Sequence, residues 1–205
     1  MNSQHEDKRN NIHPTAIVSP YAVIGEGNII GAYTVIEHNV VIGDKNEIGS
    51  HVCIGSAGEV RGDNTIKGKV VIGDNNVIKE AVSIQSPQRT DLTIIDNDCF
   101  IMHGCHIAHD NIIESNVTIA PLTIIGGCVL IQKFANIGMG TVIKQRLTVG
   151  EGCMLGMNST ITKDIPCFET WYGSPAKPSG YNLTGLRRRY PNKTEEELLA
   201  ICVEY

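Results

Sequence analysis

The stretch VVIGDNNVIKEAVSI, residues 70–84, decides the fold. Ile72, Ile78 and Ile84 recur every six residues. The same step runs through the chain: Ile12, Val18, Ile24, Ile30, Ile36, Ile42, Ile48, Ile54, Val60 and Ile66 precede them, and every one is Ile or Val. The register slips across residues 85–94. It resumes at Ile95 and continues through Ile101, Ile107, Ile113, Ile119, Ile125, Ile131, Ile137, Ile143, Val149, Leu155 and Ile161. Two residues before each of these stands a mostly small side chain, such as Ala16, Thr34, Thr93, Cys99, Cys105, Thr123, Ala135 or Ser159. Residues two apart in a strand face the same way, so each unit is a short strand with one large and one small inward side chain. Gly follows many of the large residues, and Asp, Lys or Asn come next, which suits corners of positive φ. A six-residue unit is too short for a βα repeat and has the wrong period for a helix. It fits a parallel β-helix, with three strands and eighteen residues per coil. About eight coils at roughly 4.8 Å each give a prism about 40 Å long.

A core of stacked aliphatic side chains leaves no room for a ligand. Function must therefore sit on outer faces, at loops that break the period, or between copies, and a trimer suits the triangular section. Two segments break the pattern. Residues 56–69 keep their ladder residues but are heavily charged, which points to a bulge, and residues 85–92 carry Pro87 and read as a loop. We expect a polar, disordered segment at 1–11, the β-helix at 12–164, and an exit loop with short helices at 165–205. Residues 182–189 fit one or two helical turns. Thr194 and Glu197 form a capping box for a last helix beginning at Glu195.

The bulk numbers narrow the classes. A net charge of −5 and a pI near 5.8 offer no basic footprint, which argues against nucleic acid. The N-terminal MNSQHEDKRNN has no apolar core of a signal peptide, and no run suits a membrane span. Seven cysteines without a CxxC point to reduced thiols and the cytoplasm.

The densest chemistry lies in HGCHIAHD, residues 103–110. On the ladder Cys105 and Ile107 point in, so His106 points out, and His109 and Asp110 fall outside at the following corner. His103 takes the preceding corner. Histidine is the natural general base near neutral pH, and a carboxylate such as Asp110 can fix its tautomer. A metal site and merely solvated corner histidines are the other readings. Cys99, Cys105 and Cys153 occupy the small inward position and read as core.

These residues resemble the UDP-N-acetylglucosamine O-acyltransferases of lipid A synthesis, among the hexapeptide-repeat acyltransferases. The likeness rests on VVIGDNNVIKEAVSI, on HIAHD at 106–110, on IKQ at 143–145 and on YNLTGLRRR at 181–189. It implies a left-handed β-helix and a homotrimer with sites between subunits. It implies a cytoplasmic enzyme with no bound cofactor, using acyl-CoA or an acyl carrier protein thioester as co-substrate. His109 would be the base and Asp110 its support, and the Gly127 amide would stabilise the oxyanion. His106 would contact substrate, and Gln145, Asn182 and Arg189 would hold the nucleotide. Departures also stand out. Gln85 and Cys128 replace family histidines, Val60 and Gly62 replace a sugar-gripping Asp and Lys, and Met157 replaces the glycine that sets acyl-chain length. The C-terminal helical part is also shorter than the family's. The resemblance therefore implies transfer of a short acyl or hydroxyacyl group to a hydroxyl or amine of a nucleotide sugar. A non-catalytic hexapeptide trimer and a carbonic-anhydrase-like metal enzyme are the alternatives.

Overall fold

The computed structural model describes residues 9–204. Most of the expected polar N-terminal segment lies outside the described residues, and Asn11–Ile12 already form a strand. The chain winds into a left-handed parallel β-helix of three faces. Successive strands go to successive faces: Val77–Ile78 lies on the first, Ser83–Gln85 on the second and Leu92–Ile95 on the third. Strands on one face pair in parallel with the coil before and after. Ile30 meets Ile48 and Ile119 meets Ile137, each eighteen residues on.

The ladder fills the interior as its period requires. Ile48, Ile54, Ile78, Ile84, Ile107 and Ile125 have no exposed surface. Full burial of such a side chain contributes about 1.5–3 kcal/mol. The small inward residues close the corners. Cys99, Cys105 and Cys153 are buried, and the Thr34 hydroxyl donates to the Gly49 carbonyl at 2.7 Å. Near the start of the chain the corner between third and first faces carries stacked asparagines. The Asn28 side-chain oxygen accepts from the Asn46 amide and that of Asn46 from the Asn76 amide, at 2.8 and 2.9 Å.

The ladder breaks twice, both times on leaving the second face for the third. Ile42 pairs with Ile72, thirty residues on, so residues 57–68 are an insertion. Val60 and Ile66, counted on the ladder by spacing, therefore leave the prism, because this loop closes on its own hydrogen bonds. Among these the Asp63 amide donates to the Val60 carbonyl at 3.0 Å. Ile72 then pairs with Ile95, twenty-three residues on, so the apparent slip of one is five extra residues at the same edge.

The exit segment is also more ordered than a loop. Ile165 forms a bridge with Val149 and is buried, and strands Glu169–Gly173 and Ala176–Tyr181 form an antiparallel hairpin. Its first strand pairs in parallel with Met154–Leu155, so it extends the first face. Two helices follow, α1 at Leu183–Arg189 and α2 at Glu195–Glu204. The expected capping box is present: Glu197 takes the Thr194 amide at 2.7 Å, and Thr194 Oγ1 takes the Glu197 amide at 3.3 Å. No helix among the described residues is long and apolar enough to cross a membrane.

Candidate active site

His109, Gly127 and Gln145 are eighteen residues apart, so they stack on one edge, between the second and third faces. Both insertions leave from that edge. His109 Nδ1 lies 2.5 Å from Asp110 Oδ2. Asp110 lies outside the coil as expected, yet its side chain is fully buried. The second insertion folds over it and supplies donors. The Thr90 hydroxyl and amide reach Asp110 Oδ1 at 2.7 Å each, and the Gln88 and Arg89 amides reach the carboxylate at 3.1–3.2 Å. Burial alone would raise the Asp110 pKa. The hydrogen bonds from Thr90, His109 and Arg89 outweigh it and hold the value down at about 2.

Two consequences follow. The carboxylate is ionised at neutral pH and can only accept, so His109 donates from Nδ1, and in the neutral imidazole the lone pair is on Nε2. Asp110 also couples stability to pH. Its pKa is depressed from 3.8 to about 2, so its contribution is complete above about pH 4 and is lost as pH falls towards 2. That contribution is about 2 kcal/mol. Acid unfolding followed by circular dichroism should therefore show a loss between pH 4 and 2 that Asp110→Asn lacks. An unchanged acid limb in that variant would remove this coupling.

Gly127 lies against the imidazole. A Cβ built there would stand 2.6 Å from His109 Cε1 and 2.8 Å from Nε2. Among the described residues, neither His109 Nε2 nor the Gly127 N–H has a protein partner. Gly58 of the first insertion covers another flank, where an added Cβ would be 3.0 Å from His109 Cβ. His106 stands on the second face. Its Nδ1 is 2.7 Å from Ser83 Oγ, and its Nε2 is 3.9 Å from a Glu59 carboxylate oxygen. Gln85 is buried and takes the Glu59 amide at 3.4 Å.

The histidines do not converge. His103 is exposed on the preceding edge. The group that brings three possible metal-ligand atoms within 4.8 Å is His109, Asp110 and Cys128, with a single imidazole. Burial and the Asp110 charge push the Cys128 thiol up, away from the thiolate that a metal takes. The geometry is that of an acid–base dyad.

The remaining candidates lie on other edges. Asn182 caps α1 by accepting the Gly185 amide at 3.0 Å, and its Nδ2 donates to the Gly152 carbonyl at 2.9 Å. Arg189 donates to Glu151 at 2.6 Å and lies 3.7 Å over the Phe134 ring. Both residues border a groove of about 300 Å³ on the edge between third and first faces, lined also by Phe168, Leu186 and Arg188. Among the described residues the Arg188 guanidinium has no hydrogen-bond or ion-pair partner. Met157 is 65% exposed on the edge between first and second faces. Met139 and Leu122 are exposed on that same edge, one and two coils earlier. Sequence reasoning missed Met139, although it stands eighteen residues before Met157, and missed the Thr90 and Gln88 donors. So one chain brings together His109, Asp110, Gly127 and Gln145, with His106 and Gln85 beside them. It does not bring Asn182, Arg189 or Met157 to them.

This coil of six-residue units is that of a hexapeptide-repeat protein. The family model described as bacterial transferase hexapeptide (six repeats) matches residues 10–56. The chain is 36% identical over 201 residues to an acyl-[acyl-carrier-protein]–UDP-N-acetylglucosamine O-acyltransferase of Pseudomonas putida, covering 88% of this chain and 78% of that protein. A UDP-N-acetylglucosamine acyltransferase from Campylobacter jejuni superposes with a TM-score of 0.81 at 30% identity, over 94% of this chain and 82% of that one. The enzyme from Bacteroides fragilis gives 0.82 at 30% identity, over 93% and 81%. The chain belongs to the UDP-N-acetylglucosamine O-acyltransferase family, and is an acyltransferase by that membership.

Proposed function

We propose that this protein moves an acyl group from a carrier thioester to a hydroxyl or amine of a UDP-linked N-acetylhexosamine. The observation that carries the reading is the His109–Asp110 dyad with Nε2 free beside the Gly127 amide. Nε2 takes the proton of the nucleophile as it attacks the thioester carbonyl, and Asp110 stabilises the imidazolium that forms. The Gly127 N–H donates to the developing oxyanion. The imidazolium then protonates the leaving thiol. His106 and Gln85 flank the sugar, and Gln145 extends the same edge towards the nucleotide.

The nucleotide end needs a second copy. Asn182 and Arg189 sit on a different edge from the base, so a site using both is completed between subunits. The third face supports such packing. Its outer row, Val23, Val41, Val71, Ile94, Ile112 and Leu130, is aliphatic in unbroken register, and apolar patches of that extent mark interfaces. A homotrimer of parallel prisms meets both needs. Arg189 is oriented by Glu151 and Phe134, and Arg188 offers the unpaired guanidinium for a diphosphate. Met157, with Leu122 and Met139, forms the apolar track for the acyl chain, and its bulk limits that chain to a short one. The donor is an acyl carrier protein or CoA thioester, which places the enzyme in the cytoplasm.

The test is acyl transfer by the purified protein, with UDP-N-acetylglucosamine and its amino counterpart as acceptors and a panel of carrier-protein and CoA thioesters as donors. Acylated nucleotide sugar is the expected product. No product with any pair would overturn the reading.

A further inference from the structure

We infer that Glu59 makes this site selective for a nucleotide sugar that offers a primary amine to the acyl donor. This rests on the acyl-transfer reading above and names its acceptor class. The first insertion, residues 57–68, crosses the dyad, with Gly58 packed on the His109 ring. Glu59 follows directly. Its amide is held by Gln85, and a tight turn after it is fixed by the Asp63 amide donating to Val60 at 3.0 Å. Gly62 takes the positive φ of that turn, at 83°. Asp63 in turn holds the Thr65 hydroxyl and the Lys67 ammonium, both at 2.5 Å. The loop is braced from within, so the place of Glu59 beside the dyad is built rather than incidental.

The Glu59 carboxylate meets one described partner, His106 Nε2 at 3.9 Å, and its side chain is 80% exposed. A pair so long and so exposed contributes little to stability. Packing gives no reason for the charge, and its place facing His106, one residue on from the Gly58 that covers His109, does. Val60 and Gly62 of the same loop carry no charge, and Arg61 stands between them. A nucleotide sugar is an anion, and the Glu59 carboxylate at its sugar end is best matched by a cation carried there. An ammonium group on the acceptor carbon supplies one. Glu59 binds the ammonium and, after one proton leaves to solvent, accepts an N–H of the neutral amine. The amine lone pair attacks the thioester carbonyl. The C–N bond forms and His109 takes the second proton. The C–S bond then breaks, and the thiolate leaves with that proton, giving an amide and a thiol.

The experiment uses the full chain and two acceptors that differ only in hydroxyl against amine at the acylated carbon, with one acyl thioester. The wild type should use the amine with kcat/KM at least about tenfold higher. Glu59→Gln should lower the amine value about tenfold, mainly through KM, and change the hydroxyl value by less than about threefold. A wild type that prefers the hydroxyl, or a variant that loses both equally, overturns the assignment of Glu59. Acylation of the hydroxyl sugar alone refutes this inference and leaves the acyl-transfer reading standing. Acylation of neither overturns both.

Discussion

His109→Ala should lower acyl transfer by about 10²–10⁴-fold, the usual contribution of a positioned base. The reason lies in the directionality of its ring. Nδ1 is committed to Asp110, whose ionised carboxylate accepts from four groups of the second insertion and from the Cys128 thiol besides. Only Nε2 can take a proton, and it stands where Gly127 leaves space. The loss should fall on kcat, since the imidazole acts on the nucleophile as it reacts. Folding should hold, because the ring lies outside the aliphatic ladder. Steady-state rates with matched circular dichroism spectra decide it. A folded variant that keeps a tenth of the wild-type rate would remove His109 from the mechanism.

Gly127→Ala should cost about 10²-fold in kcat, the order expected when a reacting group is displaced by about an ångström. The backbone at Gly127 is not in the left-handed region, so alanine fits its φ. What it meets is the imidazole, at 2.6–3.0 Å across three ring atoms. The ring must move, and the base moves with it. Gly126→Ala is the control. Its Cβ would meet the Gln145 backbone at 2.7 Å, which cannot give way without parting two coils. That variant should lose thermal stability, whereas Gly127→Ala should lose rate with little change in Tm. Equal melting losses in both would show that Gly127 serves packing alone.

Much of this was legible in the residues. A side chain at every sixth position says which way each neighbour points, so Cys105 and Ile107 inside, and His106 and His109 outside, could be read directly. The outward position of Asp110 was also a fair reading of the period. What the period could not give is its burial, which comes from residues 86–91, a loop that no period describes. Val60 and Ile66 are a different case. They matched the ladder by type and spacing, but an insertion of twelve residues is two whole units and preserves the register it interrupts. Spacing cannot separate such an insertion from two more strands. The pairing of Ile42 with Ile72 across it and the hydrogen bonds within the loop distinguish them. The division of the candidate site among three edges was present in the eighteen-residue spacing, and became explicit once each strand had a face.

Both insertions leave the coil at one edge, and the strands beyond them rejoin the stack in register. The scaffold is therefore indifferent to how much chain is spliced in there, since each coil reads only its neighbours. That edge is also the one that holds the dyad. Selectivity and fold can then change at separate addresses: one hairpin exchanged between residues 57 and 68 would alter what reaches the base, while the coils beneath it stay as they are. The architecture behaves as a socket, and relatives that differ chiefly in this one loop should differ chiefly in what they acylate.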